Sequence, residues 1–245
     1  MIAANLLGAM RTCDAKPPFH GTIFLEKKIV TDADPTAFVS LKFREVAERR
    51  MFDRRTNSFA STEAWLFEAT FNDSPAIEVQ VNREFSREEA GAEAEFYLPV
   101  IGRIPQVLRS KVKTVWIHKG DQLFGGGNNN LLIHVDQGKK YARDGILEET
   151  FIHESSHTSL DGVYARADGW RKAQAADKKF ISSYAKDNPQ REDIAESFLL
   201  YFAWRHRGDR ISKELYQTIE STIPNRLAYF DTLNLKLTPC VPEVN

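Results

Sequence analysis

The 245-residue chain reads as an α+β protein with a mixed or antiparallel sheet. Three observations predict this. Alternating branched and aromatic residues fill the first third, two short strand-like stretches frame a glycine-rich loop near the middle, and from about Asp144 the pattern is helical almost to the end.

Taken in order, "TIFLEKKIV" (22–30), "TAFVSLKF" (36–43), "AWLFEATF" (64–71) and "AIEVQVN" (76–82) have the alternation of half-buried strands. "FNDSPA" between the last two is turn chemistry and predicts a hairpin. Ser86 followed by Glu89 is a capping-box signal that opens a helix through about Arg109, bent or broken near Pro99 and Pro105. "VKTVWIH" (112–118) and "LLIHV" (131–135) are short strands joined by "KGDQLFGGGNNN", whose glycines admit backbone geometries other residues resist. Residues 1–110 thus form a β-rich part with one long helix. It is expected to pack on a second part, 111–245, as one compact unit.

Hydrophobic residues make up 42% and charged residues 27%, ordinary values for a soluble domain. The net charge is −1 with no dense Lys/Arg cluster, so neither nucleic acid nor an anionic membrane surface is an expected partner. No stretch reaches the roughly 18 apolar residues of a membrane helix. "MIAANLLGAM" lacks a basic leader and does not read as a signal peptide. Cys13 and Cys240 are either one disulfide tying the ends of the chain or two free thiols. Neither stands near the histidines or in a CxxC pair, which disfavours a thiolate metal site.

The chemistry begins at "ETFIHESSH" (149–157). Helical residues four apart lie only about 40° apart around the axis, so His153 and His157 project side by side. Leu147, Phe151, Ile152 and Ser155 fall on the other side and can pack a core. Glu154 lies about 100° from His153, off the ligand line but beside it. That suits a base that touches a water without binding the ion. The competing reading is an amphipathic helix carrying two surface histidines.

A catalytic zinc takes three protein ligands. Asp161 is the nearest candidate, but on a continued helix it would lie about 12 Å along the axis from His153, too far for a short side chain. It remains an alternative if the helix ends early at Gly162. The stronger candidate is in "NPQREDIAESFLLYFAW" (188–204), where Asn188 and Pro189 predict a helix start. Glu192 and Glu196 sit one turn apart at the edge of its apolar face. Burying a carboxylate is costly unless it is paired or metal-bound. A metal site accounts for both: Glu192 binds zinc, and Glu196 accepts the ring N–H of a zinc-bound histidine.

"HESSH" followed by "EDIAESF" resembles the HExxH-plus-ExxAE pattern of the gluzincin metallopeptidases, in particular the catalytic domain of anthrax lethal factor and its relatives. The resemblance covers roughly residues 111–207. It implies a zincin-like fold, with a mixed sheet and backing helix, then the active-site helix and a helical C-terminal subdomain. It also implies His153, His157 and Glu192 as zinc ligands, Glu154 as general base and Glu196 in support. Members of that group carry a tyrosine in a Ser-Tyr-Gly segment just before the Glu helix, where it helps stabilise the transition state. Here the segment is Ser183-Tyr184-Ala185, eight residues before Glu192, with alanine for glycine and the spacing shifted by one. Tyr184 is therefore the implied oxyanion donor, with Tyr164 as the fallback and core packing against Trp170 and Phe180 as the bland reading.

The expected activity is zinc-dependent endopeptidase cleavage of a peptide or protein substrate. "FGGGNNN" is expected at the rim of the cleft, where an extended substrate adds as a further strand. The alternatives are a zinc-binding protein that does not cleave, an effector activated by a partner, and a hydrolase acting on something other than peptides. His118 and His134 read as structural, and His206 has no assigned role. A secreted or extracytoplasmic location is the expectation from the termini, the two cysteines and the resemblance.

Overall fold

The computed structural model describes residues 16–25 and 28–242. Two long strands, β1 (Phe38–Asp53) and β2 (Ser58–Phe71), pair antiparallel along their whole length. They are joined in one sheet by β3 (Ile77–Asn82), β4 (Thr114–His118), β5 (Gly125–Gly127) and β6 (Asn130–His134), ordered β1-β2-β3-β4-β6-β5. The β3–β4 and β4–β6 pairs are parallel and the rest antiparallel, so the sheet is mixed and continues across residue 110. The protein is α+β.

Parallel neighbours need a crossover. Between β3 and β4 it is α1 (Arg87–Arg103) followed by the short α2 (Gln106–Arg109). Ser86 and Glu89 form the reciprocal capping box at the start of α1. Pro99 lies inside α1 without ending it; the break comes at Pro105, which forces Ile104 into extended backbone (φ −75°, ψ 156°). Arg109, buried, turns back to donate to the carbonyls of Ile101, Gly102 and Ile104, the last acceptors of α1.

After β6 the chain is helical: α3 (Val135–Asp144), α4 (Leu147–Ser156), a π-helical turn (His157–Asp161) and α5 (Gly162–Tyr164). Then follow α6 (Asp168–Asp177), α7 (Ser183–Asp187), α8 (Asp193–His206), α9 (Lys213–Thr222) and α10 (Pro224–Asp231). Helix formation thus begins at Val135, the last residue of the expected strand 131–135. An aromatic cluster locks α4 to its neighbours: Phe151 lies 5.4 Å from Phe124 and 6.2 Å from Tyr97 of α1, between ring centroids. No helix among the described residues is long and apolar enough to cross a membrane.

Three expectations need correction. The described residues of the stretch 22–30 form no strand: Ile23, Leu25, Ile29 and Val30 are buried and Phe24 is exposed, but the backbone serves other partners. Ile23 N–H donates to Glu196 at 3.2 Å and Leu25 N–H to Glu149 at 2.8 Å, so this strap is bound by side-chain carboxylates rather than by a ladder. The strands expected at 36–43 and 64–71 belong to a much longer ribbon, whose far half is too polar to show alternation. Asn188 and Pro189 do not open α8; Asn188 ends α7, and a turn carries the chain to Glu192, with α8 starting at Asp193. The suggested disulfide involves Cys13, outside the described residues; Cys240 is buried, its thiol donating to the Arg103 carbonyl and pushed by burial up to about 12.

The start of α8 is held from behind. Arg226 of α10, with no exposed surface, donates to Asp193 at 2.9 Å, to Asp177 of α6 at 2.9 Å and to the Lys179 carbonyl. Gln174 adds a bond to Asp193 at 2.8 Å. Removing one partner of a buried ion pair leaves unpaired charge in the interior, so Arg226→Ala is expected to cost about 3–5 kcal/mol in urea denaturation. A loss below 1 kcal/mol would contradict this role.

Candidate metal centre

Helix α4 buries Leu147, Phe151 and Ile152 in the core and turns His153 and His157 to the opposite side. It lies against the edge strand β5 with almost no gap. A Cβ at Gly126 would stand 1.7 Å from the Glu154 carbonyl oxygen, so only glycine permits the approach. Thr158 ties the two together, donating to the Asn130 carbonyl at 2.8 Å and accepting from Gly127 N–H at 2.7 Å. The β5–β6 turn needs left-handed backbone at Gly127, Asn128 and Asn129 (φ 127°, 50° and 62°), a task the asparagines share with the glycine.

Glu192 arrives from the other side, at the residue capping α8, and is 2% exposed. Its Oε2 lies 3.1 Å from His157 Nε2 and 3.5 Å from His153 Nε2, and the two ring nitrogens are 3.2 Å apart. Ligands around a tetrahedral ion with bonds of about 2.0–2.1 Å are spaced about 3.3–3.4 Å apart. The three atoms therefore have the spacing of three corners of such a site and can hold a metal ion. Although buried, Glu192 Oε2 makes no well-aligned hydrogen bond with either ring, as a carboxylate oxygen disposed toward a cation would.

The remaining atoms of these side chains are also engaged. His157 Nδ1 lies 2.8 Å from Asp161 Oδ2, and His153 Nδ1 faces Glu196 Oε1 at 3.4 Å. Each imidazole thus turns Nε2 to the common point; the Asp161 hydrogen bond sets the tautomer of His157, while His153 Nδ1 and Glu196 Oε1 approach each other without a well-aligned hydrogen bond. Glu192 Oε1 accepts from the Tyr184 hydroxyl at 3.1 Å. Burial works against a charge on His157, but its contacts with Asp161 and Glu192 outweigh it and raise the group to about 10. Burial would raise Glu192, yet the same histidines hold it below the usual carboxylate range. Burial pushes Glu196 up to about 7, opposed by His153, Ser182 and the Ile23 N–H.

The cluster lies in a cleft of about 550 Å³. Glu154 and Tyr184 line it, as do Gly126–Asn129, Arg54 and Arg191. Burial and then Glu192 raise Tyr184, which keeps its phenol protonated as a donor. The structure thus gathers His153, His157, Glu192, Glu154, Tyr184 and Glu196 within one region. Tyr164 is not among them; its ring packs on Tyr229 at 6.4 Å. Trp170 packs on Tyr229 and Phe230, and Phe180 covers Arg226. His118 and His134 stack in the interior at 5.4 Å, and His206 lies against the rings of Tyr201 and Phe202.

Asp161 stands behind His157 as its hydrogen-bond partner instead of serving as third ligand. The helix does not end early: it widens into the π-helical turn and keeps Asp161 one turn from His157. The i,i+4 spacing from His157 was the available signal. Arg54 is about 100 residues from the histidine motif in sequence, and nothing local marks it. No family model, curated protein or solved structure matches this chain.

If the carboxylates behind the imidazoles orient them for a metal, Asp161→Ala and Glu196→Ala should each weaken zinc binding by about 10–100-fold. Competition with a chromogenic chelator reads this directly; parent-like affinity in both variants would refute it.

Proposed function

We propose that this protein is a zinc-dependent endopeptidase of zincin-like fold. The observation that carries the reading is the triangle of His153 Nε2, His157 Nε2 and Glu192 Oε2, with edges of 3.2, 3.1 and 3.5 Å, open to a cleft lined by Glu154 and Tyr184. A His₂Glu donor set suits Zn²⁺, which supplies Lewis acidity toward a carbonyl oxygen and makes water a nucleophile near neutral pH.

The chain's own groups do the rest. Glu154 follows His153 on α4, lines the cleft and is not one of the three clustered donors, so its carboxylate is free to take a proton. It removes one proton from the attacking water and delivers it to the departing amine. The Tyr184 phenol, a donor already pointing at the Glu192 carboxylate, turns its hydrogen bond to the oxygen that gains charge. Strand β5 ends the sheet, so an extended peptide adds along its outer edge up to Gly127, whose N–H is already bonded to Thr158. Glycine at all three of its positions keeps side chains out of the way. The substrate on this reading is a peptide or protein segment lying along β5.

Glu154→Gln should keep its zinc and lower kcat by about 10²–10⁴-fold, the usual range for a lost general base. Tyr184→Phe should lower kcat by roughly 10²–10³-fold, about 2.7–4 kcal/mol of transition-state stabilisation. Both are checked with the zinc-loaded protein on a complex peptide mixture. Parent-like turnover in Glu154→Gln would sink the mechanism.

A further inference from the structure

The β1–β2 ribbon extends well beyond the sheet it belongs to. β2 pairs with β3 only through Ala64–Ala69, so Ser58–Glu63 and the end of β1 continue with each other alone. They curl across the sheet: Phe59 meets Trp116 of β4 edge-on at 6.0 Å, and Met51, Ala64 and Leu66 form a small separate core beneath. The tip is fixed at its far end. Arg55 pairs with Asp53 and with Glu84, both at 2.7 Å, and lies against Gly120, while Glu84 accepts from Lys119 N–H.

The anchored tip delivers Arg54 to the cleft. Its guanidinium lies over β5, where a Cβ at Gly125 would be 2.9 Å from it, on the face away from the α4 contact made by Gly126. Other arginines of the ribbon are committed: Arg44 to Glu68, Arg49 to Glu78 and Arg50 to the Phe59 ring. Arg54 has no ion pair among the described residues, although it lines the cleft. On the Glu192 side stands Arg191, its side chain 81% exposed and 3.5 Å from Glu192 Oε1. Of the cleft's three acidic groups, Glu192 belongs to the ligand cluster, Asp161 is engaged by His157, and Glu154 is the proposed base.

We propose that Arg54 and Arg191 select substrates carrying a carboxylate close to the scissile bond. This rests on the peptidase reading above. A guanidinium presents a planar donor fork that matches a carboxylate. An extended peptide beside β5 alternates its side chains as β5 does, so one set rises on the Arg54 side. Acidic peptides are favoured and lysine-rich ones repelled.

The test separates this proposal from the peptidase reading. Zinc-loaded Glu154→Gln is titrated calorimetrically with acetylated, amidated alanine-based decapeptides carrying Glu, Gln or Lys at the two central positions, and with the Gln peptide as a free acid. The Glu peptide should bind about tenfold tighter than the Gln peptide. Adding Arg54→Ala and Arg191→Ala should reduce that advantage to about twofold or less without loss of zinc. A gain for the free acid that the same substitutions remove would also support a carboxylate site, with the chain terminus as its source. Equal binding of all peptides overturns the proposal, as does a preference that survives the double substitution. Digestion of a proteome-derived peptide library with the parent completes the test. Cleavage without enrichment of Asp or Glu near the cut sites overturns the proposal and leaves the peptidase reading standing. Arginine-dependent acidic binding without any cleavage supports the carboxylate site and counts against the peptidase reading.

Discussion

A carboxylate taken out of water must be neutralised, paired or bound to a cation, and most of this architecture follows from how four such groups are satisfied. Glu149, Glu192, Asp193 and Glu196 are all buried on α4, at the entry to α8 or within α8. Asp193 takes Arg226 and Gln174; Glu149 and Glu196 take backbone N–H groups of the strap at 23–25. Glu192 alone of the four turns an oxygen toward two imidazole nitrogens. The first three fix the helices so that the fourth is held in register with His153 and His157. The three donors gathered at that point can hold a cation.

The same economy gives the N-terminal third a share in the site. The strap binds α7 through Phe19, whose N–H donates to Ile181 and whose carbonyl accepts from Ser183 N–H; Gly21 N–H donates to the Ser183 hydroxyl. It thereby steadies the helix that carries Tyr184, one residue after Ser183. Its Ile23 N–H then orients Glu196, whose other oxygen faces His153. The long ribbon reaches the cleft from the opposite direction and presents Arg54. The strap reaches behind the His153–Glu192 cluster, and the ribbon reaches over the cleft.

How much of this was legible depended on the range of the interaction. The histidine pair and the Glu192–Glu196 pair are separations of four on single helices, and helical periodicity alone puts each pair on one face. The capping box of α1 is equally local and is present. The strap misled because its apolar spacing is that of a strand, while its backbone partners are carboxylates 124 and 173 residues away. Asn188-Pro189 carries a helix-start signal that the chain spends on ending α7 and forming the turn before Glu192. Asp161 was within reach of the same four-residue rule, but as a partner of His157 Nδ1; the rule names neighbours, not roles. Arg54 could not be found, because its position depends on the curl of a ribbon anchored through Arg55, Glu84 and Lys119.

His153 of α4, His157 at the start of the π-helical turn and Glu192 at the entry to α8 are proposed to hold one metal ion jointly. Elemental mass spectrometry of the purified, zinc-reconstituted chain beside its Glu192→Ala variant tests it most directly. About one zinc per chain is expected in the parent, with a large loss in the variant. Full zinc retention without Glu192, or no zinc in the parent after reconstitution, would contradict it.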